Sequence, residues 1–273
     1  MPFLFFLVML FSGCSHVFYQ PQKGVFFDPK KLGLAPQQMV IEVSAEIRLA
    51  AWFFAAEAPV KGTVLQFHGN GQNMTSHYIL VAWLAQQGYN VLVFDYRGYG
   101  ESTGKANQEG LYQDGLKALE VAFLQHQKLA PQGKFIVIGQ SLGGAVALRA
   151  LEDFAQKDQV NLLVLDSTFT SYQKVARKVL AGHWLTWLIS PLAHVLVSDK
   201  YSAENAARTI SVPILVIHAK HDPVVPFSFG EELAKTVKNP QGFWILPGYG
   251  HTDAFYSAQS PYRNQFLQLL LRL

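Results

Sequence analysis

Cysteine is almost absent from this 273-residue chain. The single one, Cys14, permits no intrachain disulfide and no thiolate metal cluster. Charge is sparse too: Asp, Glu, Lys and Arg make up 15% of residues and the net charge is +3. No run of Lys or Arg occurs, which argues against a nucleic-acid partner. No apolar stretch is long enough to span a bilayer as a helix. No segment repeats, and no low-complexity linker divides the chain. What remains is abundant apolar matter, 50% of residues with twenty Phe among them. That excludes disorder and predicts one large domain with a substantial core.

The apolar opening "MPFLFFLVMLFSGC", residues 1–14, has the length of a signal-peptide hydrophobic region. It ends in Ser12-Gly13-Cys14, small residues before a cysteine that resemble a bacterial lipobox. Cys14 would then be acylated and become the mature N-terminus. No Lys or Arg precedes the run, and Phe11 is bulkier than the usual Leu, so an uncleaved anchor or a buried strand is the alternative. The expected organisation is a leader over 1–14, a tether over 15–37 and one domain over 38–273. The expected location is the bacterial cell envelope, with the chain held at a membrane surface through its lipidated N-terminus.

Beyond the tether, residues 38–43 and 47–54 read as an antiparallel pair. Continuous apolar strands follow at 63–67, 90–96, 134–138, 161–166, 213–218 and 243–247. Unbroken Val/Ile/Leu runs bounded by Gly or Pro are what strands buried on both faces require. Helical periodicity fills the intervals at about 76–87, 110–128, 142–155, 227–237 and 259–272. This alternation predicts a mostly parallel sheet with helices on both faces. The interval from Asp166 to Pro213 is far longer than an ordinary connection. It holds the apolar stretch "HWLTWLISPLAHVLV", 183–197, and is expected to form a helical cap over about 168–212.

Gly-x-Ser-x-Gly occurs twice, around Ser141 and around Ser102. A nucleophile elbow needs a strand that stops, a sharp turn and an immediate helix. Ser141 meets this: "KFIVIG" is a buried strand and "GAVALRALEDF" an apolar-spaced helix. The helix start also offers free N–H groups and positive potential to a developing oxyanion. Ser102 sits between loop-like segments and reads as a loop serine.

A serine hydroxyl needs a base oriented by a carboxylate, in the order Ser, acid, His. Among His183, His194, His218, His221 and His251, the last lies in the Gly-rich loop "LPGYGH" after the final strand and is the expected base. His183 and His194 lie in the apolar cap stretch, where packing suits them better; His218 ends a strand and His221 precedes Asp222, so both are expected to tune the loop. Asp222, in "HAKHDPVVP" after the strand "PILVI", is the expected acid. Asp166, at the end of the preceding strand, is its rival, and Asp253 is too near His251 in the chain. Oxyanion donors are expected from the backbone of Leu142 and of Asn70 in "QFHGNGQN", 66–73. That loop lacks the Gly-Lys-Ser/Thr ending of a phosphate-binding loop.

Taken together, "HGNGQN", "DYRGYGESTG", "GQSLGG", "PILVIHAKHDPVVP" and "PGYGH" resemble the successive signatures of the α/β-hydrolase superfamily over nearly all of 38–272. They are most similar to its bacterial lysophospholipase/serine-aminopeptidase-like branch, which also has membrane-associated depalmitoylases as relatives. The resemblance implies an eight-stranded sheet, a Ser141/Asp222/His251 triad, backbone donors at Asn70 and Leu142, and no metal or organic cofactor. Ala219 stands where Gly is common in that branch. A peptidase label does not carry over, because no residue can be assigned to an amino terminus. The expected activity is hydrolysis of small-molecule or lipid esters or thioesters. The alternatives are a catalytically silent envelope binding protein, or a peptidase or amidase.

Overall fold

The computed structural model describes residues 19–181, 187–248 and 250–273; Cys14, the rest of the leader and His183 lie outside them. Eight strands form one sheet: β1 (Gln37–Glu42), β2 (Arg48–Phe54), β3 (Gly62–Phe67), β4 (Tyr89–Phe94), β5 (Lys134–Gln140), β6 (Leu162–Asp166), β7 (Ile214–Ala219) and β8 (Pro240–Leu246). Their order is β8-β7-β6-β5-β3-β4-β2-β1, and β3 to β8 are parallel. β2 is antiparallel to β1, as expected of the opening pair, and also antiparallel to β4.

The two-residue side-chain period of a strand sorts the core into two layers. Leu65, Leu92, Val137, Leu163 and Val216 pack on one face, and Val64, Val91, Ile136, Val164 and Leu215 on the other. Both sets are buried, which is why these strands read as continuous apolar runs. The first face is covered by α1 (Gln108–Leu129), α2 (Leu142–Asp153), α4 (Glu204–Thr209) and α5 (Phe227–Thr236), through residues such as Leu119, Leu148, Ala206 and Leu233. The second is covered by α6 (Pro261–Arg272) and the helical stretch 74–87, through Phe266, Leu270, Tyr78 and Leu84.

Two sequence expectations change in detail. The interval 76–87 is not one helix but an α-turn at Met74–His77 followed by 3-10 turns to Gln87. Tyr78, Ile79, Val81 and Trp83 are weak helix formers, so packing rather than propensity shapes this stretch. The insertion between β6 and β7 divides as well. α3 (Tyr172–Ala181), a 3-10 turn at Trp187–Leu192 and a helical turn at Ala193–Leu196 pack together, whereas α4 packs on α2 and α5 at the flank of the sheet. Pro191 lies inside the 3-10 turn, and the apolar stretch is not fully covered. Leu188 is 70% and Val195 78% exposed, and Leu192 and Leu196 are exposed beside them.

Among the described residues the segment expected to be a tether is docked at its start, while most of residues 22–37 are exposed. Tyr19 is buried in the main core, and Gln20–Pro21 pair in parallel with Gly71–Gln72. Among the described residues no helix is long and apolar enough to cross a membrane.

Candidate active site

The loops leaving β3, β5, β6, β7 and β8 meet at the C-terminal edge of the sheet, where open α/β sheets place their ligand crevices. Ser141 directly follows β5 and precedes α2, with φ 52° and ψ −121°, a conformation a side chain adopts only under strain. Small neighbours permit it. A Cβ on Gly143 would stand 2.5 Å from the His68 carbonyl oxygen, and one on Gly144 would stand 2.6 Å from the Thr168 Cβ. The turn is fixed by the Ser141 N–H donating to the Asp166 carbonyl (2.9 Å), and by Thr168 Oγ1 (2.6 Å) and the Gly144 N–H (3.0 Å) donating to the Ser141 carbonyl. Ser141 is 8% exposed, and Leu142, the first residue of α2, has an N–H that the helix does not use.

Asp222 lies in the loop after β7 and His251 in the loop after β8, as expected. His251 Nδ1 is 2.8 Å from Asp222 Oδ2, whose side chain is fully buried. The other oxygen, Oδ1, accepts from the N–H groups of Val224 (2.8 Å) and Val225 (2.9 Å). Burial by itself pushes the Asp222 carboxyl up. The hydrogen bond and charge of His251 and the two N–H groups outweigh it and hold the carboxyl below the usual range. The carboxylate acceptor fixes the proton on Nδ1 and leaves Nε2 as the free acceptor of a neutral ring.

Asp166, the rival acid, ends β6 and is buried. Its Oδ1 accepts from Ser167 Oγ (3.1 Å). Burial raises its carboxyl to about 7, against the lowering influence of His251. It is therefore largely protonated in mildly acidic solution and ill suited to hold an imidazolium. Ser167 Oγ also accepts from the Thr252 N–H (3.2 Å), which ties the His251 loop to the end of β6, beside the elbow. Asp253 packs against Gly250, and its carboxyl is raised by burial.

The other described candidate histidines have local partners. His218 Nε2 is 2.9 Å from the Val225 carbonyl, and His194 is exposed with Nδ1 3.2 Å from Gln173 Oε1 rather than packed in a core. The His221 N–H reaches the Gly248 carbonyl. Ser102 is buried, donating to the Asp95 carbonyl (2.8 Å) and accepting from the Ala50 N–H (2.9 Å), so it joins loop to sheet. Asn70 follows Gly69, whose Cβ position would lie 3.6 Å from the Ser141 Cβ; the loop thus passes close to the elbow.

Comparison with known proteins identifies the family and the fold. The family model described as "Serine aminopeptidase, S33" matches residues 58–203. The chain is 31% identical to the protein YfhR of Escherichia coli K12 over 99% of its own length and 94% of that protein. It is 30% identical to the alpha/beta hydrolase domain-containing protein WAV2 of Arabidopsis thaliana over 89% of its length and 80% of WAV2. The chain belongs to the α/β-hydrolase superfamily. Solved structures share the fold: an esterase of Pyrococcus furiosus at TM-score 0.70, 22% identity and coverage of 93% and 96% of the two chains, and a soluble variant of the monoglyceride lipase of Saccharomyces cerevisiae at 0.64, 16%, 87% and 94%. Family and fold together make this chain a hydrolase.

Several groups of the hydrolase's site escaped the sequence. His77 stacks on His68 with ring centroids 5.4 Å apart, and its Nε2 donates to the Gly71 carbonyl (3.0 Å). Burial first, then the neighbouring His68 and His251, push it down to about 4, so it stays neutral. Gln140, immediately before Ser141, accepts from Gln66 Nε2 (2.7 Å), which also donates to the His77 carbonyl (2.9 Å). Arg97 makes a buried bidentate pair with Asp114 that pins the "DYRGYG" loop to α1, Nη2 lying 2.7 Å from Oδ1. A polar residue inside an apolar strand, as at Gln66 and Gln140, is the one signal that could have marked them. His77 and Asp114 carry no such mark in the sequence.

Proposed function

We propose that this chain is a serine hydrolase that cleaves carboxylic ester or thioester bonds of acyl, lipid-like substrates through an acyl-enzyme on Ser141. Ser141 Oγ attacks the carbonyl carbon while His251 Nε2 accepts its proton. Asp222 holds the Nδ1 proton and stabilises the imidazolium. The backbone N–H groups of Leu142 and Asn70 receive the developing oxyanion. Collapse expels the alcohol or thiol, protonated by His251. Water, activated by the same imidazole, then releases the acid. The observation that carries this reading is the His251 Nδ1–Asp222 Oδ2 pair, set at the same sheet edge as a strained serine between strand and helix.

The acyl preference is supported by the aliphatic side chains left exposed at Leu188, Leu192, Val195 and Leu196, a surface suited to lipid. Acylation of Cys14 would tether the enzyme to the bacterial envelope membrane. Tyr19, which is buried, lies five positions after Cys14, at most about 18 Å of extended chain. The site would thus sit close to its lipid source. Processing that globomycin blocks and that Cys14→Ala abolishes is the expected behaviour.

Labelling with a fluorophosphonate tests the chemistry: wild type labels and Ser141→Ala does not. Equal behaviour of the two would leave a silent binding protein instead. Faster turnover of aminoacyl anilides than of p-nitrophenyl esters would favour a peptidase or amidase.

A further inference from the structure

The oxyanion loop, residues 68–73, has little regular structure of its own, yet a donor aimed at an oxyanion must be held still before the reaction. Residues of the sheet and its flanks hold its inner side. Tyr96 OH donates to the His68 carbonyl (3.1 Å) and His77 to the Gly71 carbonyl. Its other hold is the segment after the leader. The Gln20 N–H donates to Asn70 Oδ1 (3.1 Å), the same oxygen that accepts from Tyr99 OH (2.8 Å). Gln20–Pro21 pair with Gly71–Gln72, and the Gln22 N–H donates to the Gln72 carbonyl (3.1 Å).

That segment is itself anchored. Asn73 Nδ2 donates to the carbonyls of Gln22 (3.0 Å) and Gly24 (2.8 Å), and the Gly100 N–H donates to the Gln22 carbonyl (3.1 Å). Tyr19 is buried against the core, its hydroxyl at that of Tyr172. Tyr172 opens α3, so one short stretch joins the oxyanion loop to the helical insertion.

We propose that residues 19–24 are a positioning strap of the catalytic apparatus: the Gln20 N–H and Tyr99 OH together clamp the Asn70 side chain and so aim the Asn70 backbone N–H at the oxyanion. This rests on the serine-hydrolase reading. It makes the stretch between the leader and the first sheet strand part of the enzyme's site rather than a spacer.

The test uses the full-length protein in detergent, with kcat counted per fluorophosphonate-titrated site. Gln20→Pro removes the N–H and Tyr99→Phe removes the hydroxyl. Each variant should lower kcat about five- to tenfold with KM within twofold. A boronic acid inhibitor, which places an oxygen where the oxyanion forms, should lose affinity by the same factor. The double variant should lose much less than the product of the singles, because both donors act through one oxygen. Unchanged kcat and boronate affinity in both variants, or a fall only in Tm and in the number of titratable sites, would overturn the strap. Wild-type turnover by Ser141→Ala would instead overturn the hydrolase reading beneath it.

Discussion

Replacing Asp222 by Asn gives the sharpest test of the catalytic reading, because the structure dictates how the amide must sit. Asp222 Oδ1 receives two backbone N–H groups, from Val224 and Val225, and Oδ2 receives His251 Nδ1. The amide oxygen is held where two donors meet, so the Nδ2 hydrogens face the imidazole. His251 Nδ1 must then accept, its proton moves to Nε2, and the ring can no longer take the proton of Ser141. A wrong tautomer of this kind costs about 10⁴ in kcat, about 5.5 kcal/mol of transition-state stabilisation. The loop keeps both backbone hydrogen bonds, so Tm should change little. Raising the pH should not restore the rate, because the defect is tautomeric. Hydrolysis of a soluble p-nitrophenyl ester and the rate of fluorophosphonate labelling both read the loss. Asp166→Asn is the control and should keep kcat within about tenfold, since its carboxyl does not hold the imidazole. If Asp222→Asn retained more than a hundredth of wild-type kcat while Asp166→Asn lost a thousandfold, the acid would be Asp166.

Other perturbations read other parts of the molecule. Asp166 holds its proton to about pH 7 when folded and to about pH 4 when unfolded. Wild-type stability should therefore fall as pH rises through that window. Asp166→Asn should flatten the fall, which denaturant midpoints at pH 5 and pH 8 would show. Gly143→Ala would drive a methyl into the Phe67 and His68 carbonyls. It should cost about 1–3 kcal/mol and abolish labelling, because those carbonyls lead into the oxyanion loop. Ser102→Ala removes both bonds of the buried hydroxyl, costs about 1–2 kcal/mol by chemical denaturation, and leaves labelling intact; lost labelling would make Ser102 more than a structural residue. Asp114→Ala strands the Arg97 guanidinium and should cost about 3–5 kcal/mol, where a loss under 1 kcal/mol would show that the pair is solvated.

The strands of the parallel sheet were legible because both of their faces are buried, so Val64-Leu65 and Ile136-Val137 announce themselves as unbroken apolar pairs. The elbow was legible because Ser141 combines a strand end, small residues and a helix start within six positions. Choosing between Asp166 and Asp222 was not settled by the residues alone. Both follow apolar strands, and only the fold brings His251 to one of them. The docking of residues 19–27 was invisible for a different reason. Its contacts include hydrogen bonds from backbone N–H groups to side chains some fifty residues away, such as Gln20 to Asn70 and Phe26 to Thr75, and a short Pro- and Gly-bearing stretch looks the same whether it is docked or free. The stretch 74–87 misled by length: an apolar interval of that size reads as one helix, although packing breaks it into turns.

Where the backbone is strained ties these observations together. Among the described residues, only Gln72, Ser141, Ser167 and Thr252 carry a side chain at positive φ. They lie in the 68–73 loop after β3, the elbow after β5, the end of β6 and the His251 loop after β8, at four of the loops that leave one sheet edge. Conformations of this kind cost about 1–3 kcal/mol each and persist only where the surroundings over-determine them. The surroundings here are visible: the Gln22–Gln72 pairing, Thr168 on the Ser141 carbonyl, and Ser167 Oγ bridging Asp166 and Thr252. A fold serving only to bind could relax these turns at no loss to its core. Relaxing Thr252 with Gly is therefore expected to keep or raise Tm while lowering kcat, because a freer loop holds His251 less firmly against Asp222. An increase in kcat on that substitution would mean that the strain at this edge has nothing to do with the chemistry.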